Sequence, residues 1–459
     1  MGRVRGRGDR LVSYESLLRQ PNQYAEYERL KAYFQGRARL DALGVSLPPQ
    51  VRVLELVVDW PRITVEALED RLTVEGFTLA GSSDTIDRYW RWWQANRMDQ
   101  IAPMIHTEAL AQGLAWALVG KGPGDVPRIT AHSRKHVRAN INKATGDVEE
   151  ALLTFHRGGE WWRAHYTPGT TTYYGRTGLG TWALADPDGK GKPVRDSGLG
   201  SVPLVPYVNR ASIENRLGES EMTDTIRYTD AASRTITNLQ VGQELVGMPT
   251  KYAVGVKPDD FKGSDGTAKT AYEAYLGHML TAANTAAKFG ILQGGDLTQL
   301  HSTVKLYAQL VSGATGLSLN SLGITSDANP TSGDAVNALE RRHVKRAEKK
   351  QIIFGESHES VMRLCDELVS GTSAPEAWEV ETNWRPAATP TLQSVSQAAV
   401  QLVQAGIIPP AVARDMVGLT EQQKRIAKQY DALDPQRAFA RTLGTPTLEE
   451  AGIEAGEGE

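Results

Sequence analysis

The 459-residue chain contains a single cysteine, Cys365. One thiol makes no internal disulfide, which excludes a cross-linked secreted framework and suits folding in a reducing cytoplasm. Long apolar runs are also missing. The most apolar stretch, Ala109–Val119, is broken by Gln112 and Gly113 and falls short of the roughly 20 residues a spanning helix needs. The first residues, Met1-Gly-Arg-Val-Arg-Gly-Arg-Gly, are basic, but no apolar segment follows them. They do not read as a signal peptide. The chain reads as soluble, with no membrane partner.

A charge excess is missing too. Lys and Arg number 51 against 54 Asp and Glu, a net charge of −3. That argues against a protein that grips nucleic acid over its whole surface. It is compatible with one that lets DNA slide past, because duplex DNA carries a charge every ~1.7 Å and a strongly basic lining would hold it by many phosphates. The 40% hydrophobic and 23% charged content belongs to a globular chain. At roughly 150 residues per domain, about three units are expected.

Catalytic signatures are absent. Gly191-Lys192 ends no phosphate-binding loop, because Asp186 stands where glycine is required and Pro193 replaces Ser or Thr. No Gly-x-Ser-x-Gly elbow occurs. His132 and His136 are four apart, but the surrounding pattern is not helical, so a turn beside a strand is favoured over a zinc site. His343 and His358 read as packing or interface histidines, and Cys365 as a small core residue. Glu66, Glu69 and Asp70 read as a solvated helix face rather than paired acid–base carboxylates. No catalytic, cofactor or metal residue is assigned, and the chain does not read as an enzyme.

What is present is an α+β succession. Helical spacing runs over 14–43, with further helices expected at Val51–Asp59, after an Asp84 N-cap, and at His106–Val119, with Pro103 as an interruption. From Val126 to Ala185, turns at Lys143–Gly146, Arg157–Gly159, Pro168-Gly169 and Pro187–Gly189 mark an antiparallel meander. Pro203 and Pro206 suit an edge strand at Val202–Val208. Glu219–Gly247 is a helix rich in small polar residues and sparse in apolar ones, suited to packing against copies of itself or lining a wet channel. Strands are expected at Lys251–Val256 and Phe289–Gln293, and a short helix at Thr298–Val311. Ser312–Thr331 is a long Gly/Ser/Asn/Thr loop, a length that is usually functional or disordered. The longest helix runs from Ser332 to Val369, with Gly355 a candidate bend. A strand with Trp378 and Trp384 follows, then helices over 391–433 broken at Gly406, Pro409-Pro410 and Gly418. The basic run Arg341, Arg342, Lys345, Arg346, Lys349, Lys350 has nearby Glu340 and Glu348. A solvated helix face is favoured over a surface for nucleic acid or an acidic partner.

Several segments, in order, resemble the portal proteins of tailed phages that infect actinobacteria. They are Tyr33–Gly36, Val57–Asp59, Asp70–Phe77, Trp92–Asp99, Glu108–Gly113, Val202–Pro206, Gly218–Glu221, Ser332–Ala335, Trp384-Arg-Pro, Thr389–Thr391 and Ala405-Gly406. The resemblance covers about 14–420. It implies a helical wing with an antiparallel β meander, two stem helices, a small α/β clip, a long helix and a helical crown. The implied division is a disordered N-terminus at 1–13, wing at 14–217, first stem helix at 218–247, clip at 248–297 and second stem helix at 298–311. A tunnel loop follows at 312–331, then the long helix and wing-completing strand at 332–389, crown at 390–440 and a disordered acidic tail at 441–459.

By the same resemblance, the function is that of a ring subunit at one capsid vertex in the virion, assembled in the host cytoplasm. The ring, of twelve copies, would conduct double-stranded DNA without sequence readout and dock terminase, major capsid or scaffolding protein and head–tail adaptor. Tunnel-loop residues Asn320, Ser321, Asp327 and Asn329 would approach the DNA. Lys257, Asp259, Asp260, Lys262, Asp265 and Lys269 would face clip partners, although the polar stretch Asp259–Thr270 departs from the family pattern. No cofactor is implied. The alternatives are another virion protein, such as a minor capsid or adaptor subunit, and an unrelated hydrolase.

Overall fold

The computed structural model describes residues 14–20, 23–40, 55–79, 86–176, 180–247, 251–255, 286, 288–291, 297–324, 333–371, 378–388, 392–418 and 426–427. The described residues fall into two compact units, those within 1–329 and 339–388 and those within 330–338 and 389–459. No helix among the described residues is long and apolar enough to cross a membrane.

In the larger unit the main core gathers residues far apart in sequence. Helices α1 (14–19), α2 (Tyr24–Phe34), α3 (Trp60–Glu69), α4 (Asp87–Ala95) and α5 (Met98–Gln112) precede or follow strand β1 (Val74–Leu79). The 38-residue α8 (Gly333–Ser370) returns to the same core, where Phe354, Val361 and Met362 meet Leu68, Phe77, Trp93, Ile105 and Leu110. Strand β13 (Val380–Trp384) pairs antiparallel with β1. Gly355 lies within the unbroken α8. It lies where β13 crosses, and a Cβ there would sit 3.2 Å from Trp384 Nε1.

Three expected helix boundaries move for local reasons. The described part of Val51–Asp59 is not helical. The helix begins at Trp60, with Pro61 in its first turn, where a missing N–H costs nothing. The break after the tryptophan helix falls at Asn96-Arg97, and Arg97 adopts φ +55. Pro103 therefore lies inside α5 rather than ending it. The run Ala109–Val119 divides at Gly113, whose left-handed φ of +86 ends α5, and residues Leu114–Gly120 form strand β2. Asp84 lies outside the described residues, and Ile86 occupies the N-cap.

Strand β2 is central in a three-stranded antiparallel sheet between β3 (Arg128–Ser133) and β10 (Leu204–Val208). The meander forms a larger antiparallel sheet: β4 (Val137–Ile141), β5 (Val148–Arg157), β6 (Glu160–Thr167), β7 (Thr170–Arg176) and β8 (Ala183–Leu184), with β9 (Val194–Asp196) also on β7. Leu114, Trp116, Leu153, Ala164 and Leu204 pack the two sheets together. Strand β10 is an edge, as Pro206 within it requires, and Ser357 Oγ donates to the Pro206 carbonyl at 2.9 Å. That bond and the missing N–H blunt the edge against further pairing.

After β10 comes α6 (Thr223–Gly247), then strands β11 (Lys251–Val254) and β12 (Lys288–Ile291), paired antiparallel. Helix α7 (Thr298–Thr315) extends four residues beyond the expected end. Gly242 faces Leu297 at one end of the α6–α7 pair, while Ala232 clusters with Ala308 and Val311 at the other, so the two helices run antiparallel. In the smaller unit, α9 (Leu392–Gln404) and α10 (Pro410–Met416) are joined by a turn with Gly406 at φ +70.

Candidate functional site

The chain enters and leaves the α6–α7 pair through one buried polar cluster. Glu221, immediately before α6, is 1% exposed. Its carboxylate accepts from Arg346 and lies 3.0 Å from Lys350 Nζ, both on α8. Asn209, at the end of β10, accepts from Lys350 at 2.5 Å and donates to the Glu219 carbonyl at 2.7 Å and to Glu221 at 3.2 Å. Burial opposes ionisation of Glu221, but the charges of Lys350 and Arg346 outweigh it and hold its pKa at about 2. Burial pushes the Lys350 pKa down, and Glu221 works against that.

Two glycines let this crossing close. Gly218 has φ +70, and a Cβ there would lie 2.3 Å from the Asn209 carbonyl and 2.5 Å from that of Gly113. Gly113 faces the backbone of Glu219 in return, 2.9 Å from where its own Cβ would stand.

The basic run on α8 is divided by this geometry. Arg341, Lys345 and Lys349 are exposed. Arg342 Nη1 donates to the Gly313 carbonyl at 2.5 Å and Arg346 Nη1 to that of Ala314 at 2.6 Å. These are carbonyls of the last turn of α7, where a helix leaves acceptors unsatisfied and carries negative partial charge. Lys350 is 6% exposed, so the run is not one continuous surface.

The small polar residues of α6 have a partner within the chain. Ser233 Oγ accepts from the Val58 amide at 3.1 Å, and Thr237 Oγ1 accepts from the Leu56 amide at 3.2 Å. Residues 55–59 thus run along α6, and this is why they form no helix. The outward positions of α6 include Arg227 and Arg234, and those of α7 include Leu306, at 51%, and Leu310, at 42% exposed. Among the described residues, then, the pair has one face packed on the chain and another left exposed.

Of the expected loop residues, Asn320 and Ser321 are exposed in a short 3-10 helix, Asn320–Leu322. That turn is anchored: Leu317 and Leu322 are buried, and Trp60 Nε1 donates to the Leu322 carbonyl at 3.2 Å. Asp327 and Asn329 lie outside the described residues, as do Lys257, Asp259, Asp260, Lys262, Asp265 and Lys269.

A second buried group joins α5, β10 and α8. His106 and His358 are fully buried, their Nε2 atoms 2.9 Å apart, and His358 Nδ1 lies 2.8 Å from Tyr207 Oη. One Nε2 donates and the other accepts. Burial lowers the pKa of His106 to about 3 and that of His358 well below the usual value, with His106 adding to the latter. His358 is a packing histidine, one of the two roles expected for it. The partnership with His106, 252 residues away, left no local signal. Glu69 is half-buried and, with Asp70 beside it, its pKa is raised to about 7. Glu66 is exposed and faces Arg62 at 3.9 Å. Among the described residues no group of three His, Cys, Asp or Glu is placed to hold a metal.

This α+β chain, whose buried charges tie helix ends together, falls in the portal class of virion proteins. A family model described as phage portal protein, SPP1 Gp6-like, matches residues 17–436, and the chain belongs to that family. It is 31% identical over 417 residues to the portal protein of Mycobacterium phage D29, covering 87% of this chain and 84% of that one. To the portal protein of Mycobacterium phage L5 it is 30% identical over 415 residues, with the same coverage. Among solved structures, the neck of a native gene transfer agent particle, computed with C12 symmetry, is similar with TM-score 0.44 and 13% identity over 79% of this chain and 89% of that one. A chain of the native gene transfer agent virion is similar with TM-score 0.48 and 13% identity, over 85% and 99%.

Proposed function

We propose that the chain is one of twelve subunits of a closed ring at a single capsid vertex, through which double-stranded DNA enters and leaves the head. The family match over 17–436 carries this reading. The α6–α7 pair supports it, since an antiparallel pair covered on one side has a face left for neighbours or a bore. In this reading α6 and α7 are the stem, the β11–β12 unit belongs to the clip, residues 14–217 and the long helix form the wing, and α9 and α10 belong to the crown. The loop following α7 narrows the bore and contacts DNA without reading bases, as passage of any sequence requires. The clip docks terminase during filling and a head–tail adaptor afterwards, while major capsid or scaffolding protein meets the ring at its periphery. The ring guides and retains DNA, performs no turnover and needs no cofactor. Assembly takes place in the host cytoplasm and the product resides in the virion.

The test is light scattering and negative-stain imaging of the purified chain, alone and coexpressed with scaffolding protein. Closed rings with a mass close to twelve chains are expected. Monomers under both conditions, or icosahedral shells, would overturn the reading.

A further inference from the structure

The larger sheet buries one face against the β10-β2-β3 sheet, and among the described residues part of the other is left open. Helix α1 covers that second face only in part: Tyr14 stacks on Tyr174 at 4.4 Å, and Leu17 packs over Leu152. Beyond Tyr14, toward the β5–β6 turn, side chains of one parity form a distinct patch. Register places Arg163 opposite Tyr174, and Trp161 opposite both His156 and Arg176. Arg163 and Arg176 are thus diagonal neighbours on adjoining strands. Their guanidinium carbons lie 4.0 Å and 5.9 Å from the ring of Trp182. Trp161 is 45% exposed and meets His156 edge-on at 5.2 Å.

The charge on this patch is unbalanced. Among the described residues neither Arg163 nor Arg176 has a carboxylate partner, and the Nε of each has no acceptor. Arg163 Nη1 donates only to Tyr14 Oη, at 3.0 Å. The one carboxylate of this face within the strands β5–β7, Glu150, is buried beside His165. Elsewhere on the sheet Arg157 pairs with Asp188 and Arg195 with Asp186 and Asp188, while Arg138 donates to the Leu17 and Leu18 carbonyls under α1. Two neighbouring guanidiniums repel each other unless an anion bridges them.

We propose that Arg163, Arg176, Trp161, Trp182 and His156 form a docking surface for an acidic segment of a protein partner. Planar guanidiniums grip carboxylates by paired hydrogen bonds. Trp and Arg are the side chains that most often dominate protein interfaces. A duplex is the poorer occupant, because DNA-binding surfaces engage about 6–10 phosphates and this patch offers two unpaired cations.

The test is fluorescence anisotropy with the full chain and a labelled Glu-rich peptide containing one Phe. A labelled duplex oligonucleotide is the competing probe. The peptide binds the wild-type chain. Affinity falls on the order of tenfold in Arg163→Gln/Arg176→Gln, falls in Trp161→Ala, and is unchanged in Arg157→Gln. Should the double variant lose its fold by circular dichroism, Trp161→Ala carries the test, since its exposed ring belongs to no core cluster. Absence of peptide binding, equal binding by the variants, or tighter binding of the oligonucleotide overturns the proposal.

Discussion

Lys350 Nζ lies 3.0 Å from Glu221 Oε2, and the two residues join the middle of the longest helix to the start of α6. With Arg346 on the same carboxylate, two cations depend on one buried anion. Glu221→Gln would leave both without a counter-charge, and losing one partner of a buried pair costs about 3–5 kcal/mol. The expected result is a lower denaturation midpoint with an unchanged slope. Arg227→Gln, at an exposed position of α6, changes stability by about 0.5 kcal/mol or less.

The same carboxylate predicts an acid response. Its folded pKa is about 2, below the usual value of about 4.3. The stabilisation is therefore complete above the usual value and is lost as pH falls toward the folded one. Equilibrium unfolding from pH 5 down to pH 2 should show wild type approaching Glu221→Gln in stability. A constant gap across that range would contradict the assignment.

His106 and His358 act at higher pH. Their folded values are depressed by burial, so the unfolded chain binds more protons once pH drops below about 6.5. Stability is full above that value. Each histidine costs about tenfold in the folding equilibrium per pH unit below it. His106→Gln keeps a donor for His358 and removes one titrating ring, so the slope of stability between pH 6.5 and 5 should shrink. Denaturant midpoints at several pH values measure this.

Gly113→Ala should be costly where Gly124→Ala is mild. Both glycines have positive φ, but a Cβ at Gly113 meets the Glu219 backbone at 2.9 Å while one at Gly124 meets nothing within 4 Å. The strained backbone alone costs about 1–2 kcal/mol, so the difference between the variants reports the crossing. Equal thermal shifts would contradict the described contact.

Ser233→Ala and Thr237→Val remove the acceptors of the Val58 and Leu56 amides. Each should cost about 1 kcal/mol and accelerate hydrogen exchange at those two amides while the centre of α6 stays protected.

The legible part of this fold was the part written in short range. Turn chemistry marked the meander, the prolines at 203 and 206 marked an edge strand, and the helical period outlined the long helix. Helix content near Val51–Asp59 and Leu114–Val119 misled, because tertiary pairing with Ser233 of α6 and with β3 and β10 outweighs local propensity. The charge clusters were harder to foresee. Glu221 follows Ser220 like any surface acid, and only the return of α8, 125 residues later, gives it Arg346. The small polar face of α6 was visible, but part of it serves residues 55–59 rather than a neighbour.

Electron cryo-microscopy of the assembled ring tests the central claim most directly. The account predicts a closed ring in which α6 and α7 stand beside the bore, with the loop after Thr315 at its narrowest point. A ring whose bore is lined by the β4–β8 sheet, with α6 and α7 at the periphery, would contradict it.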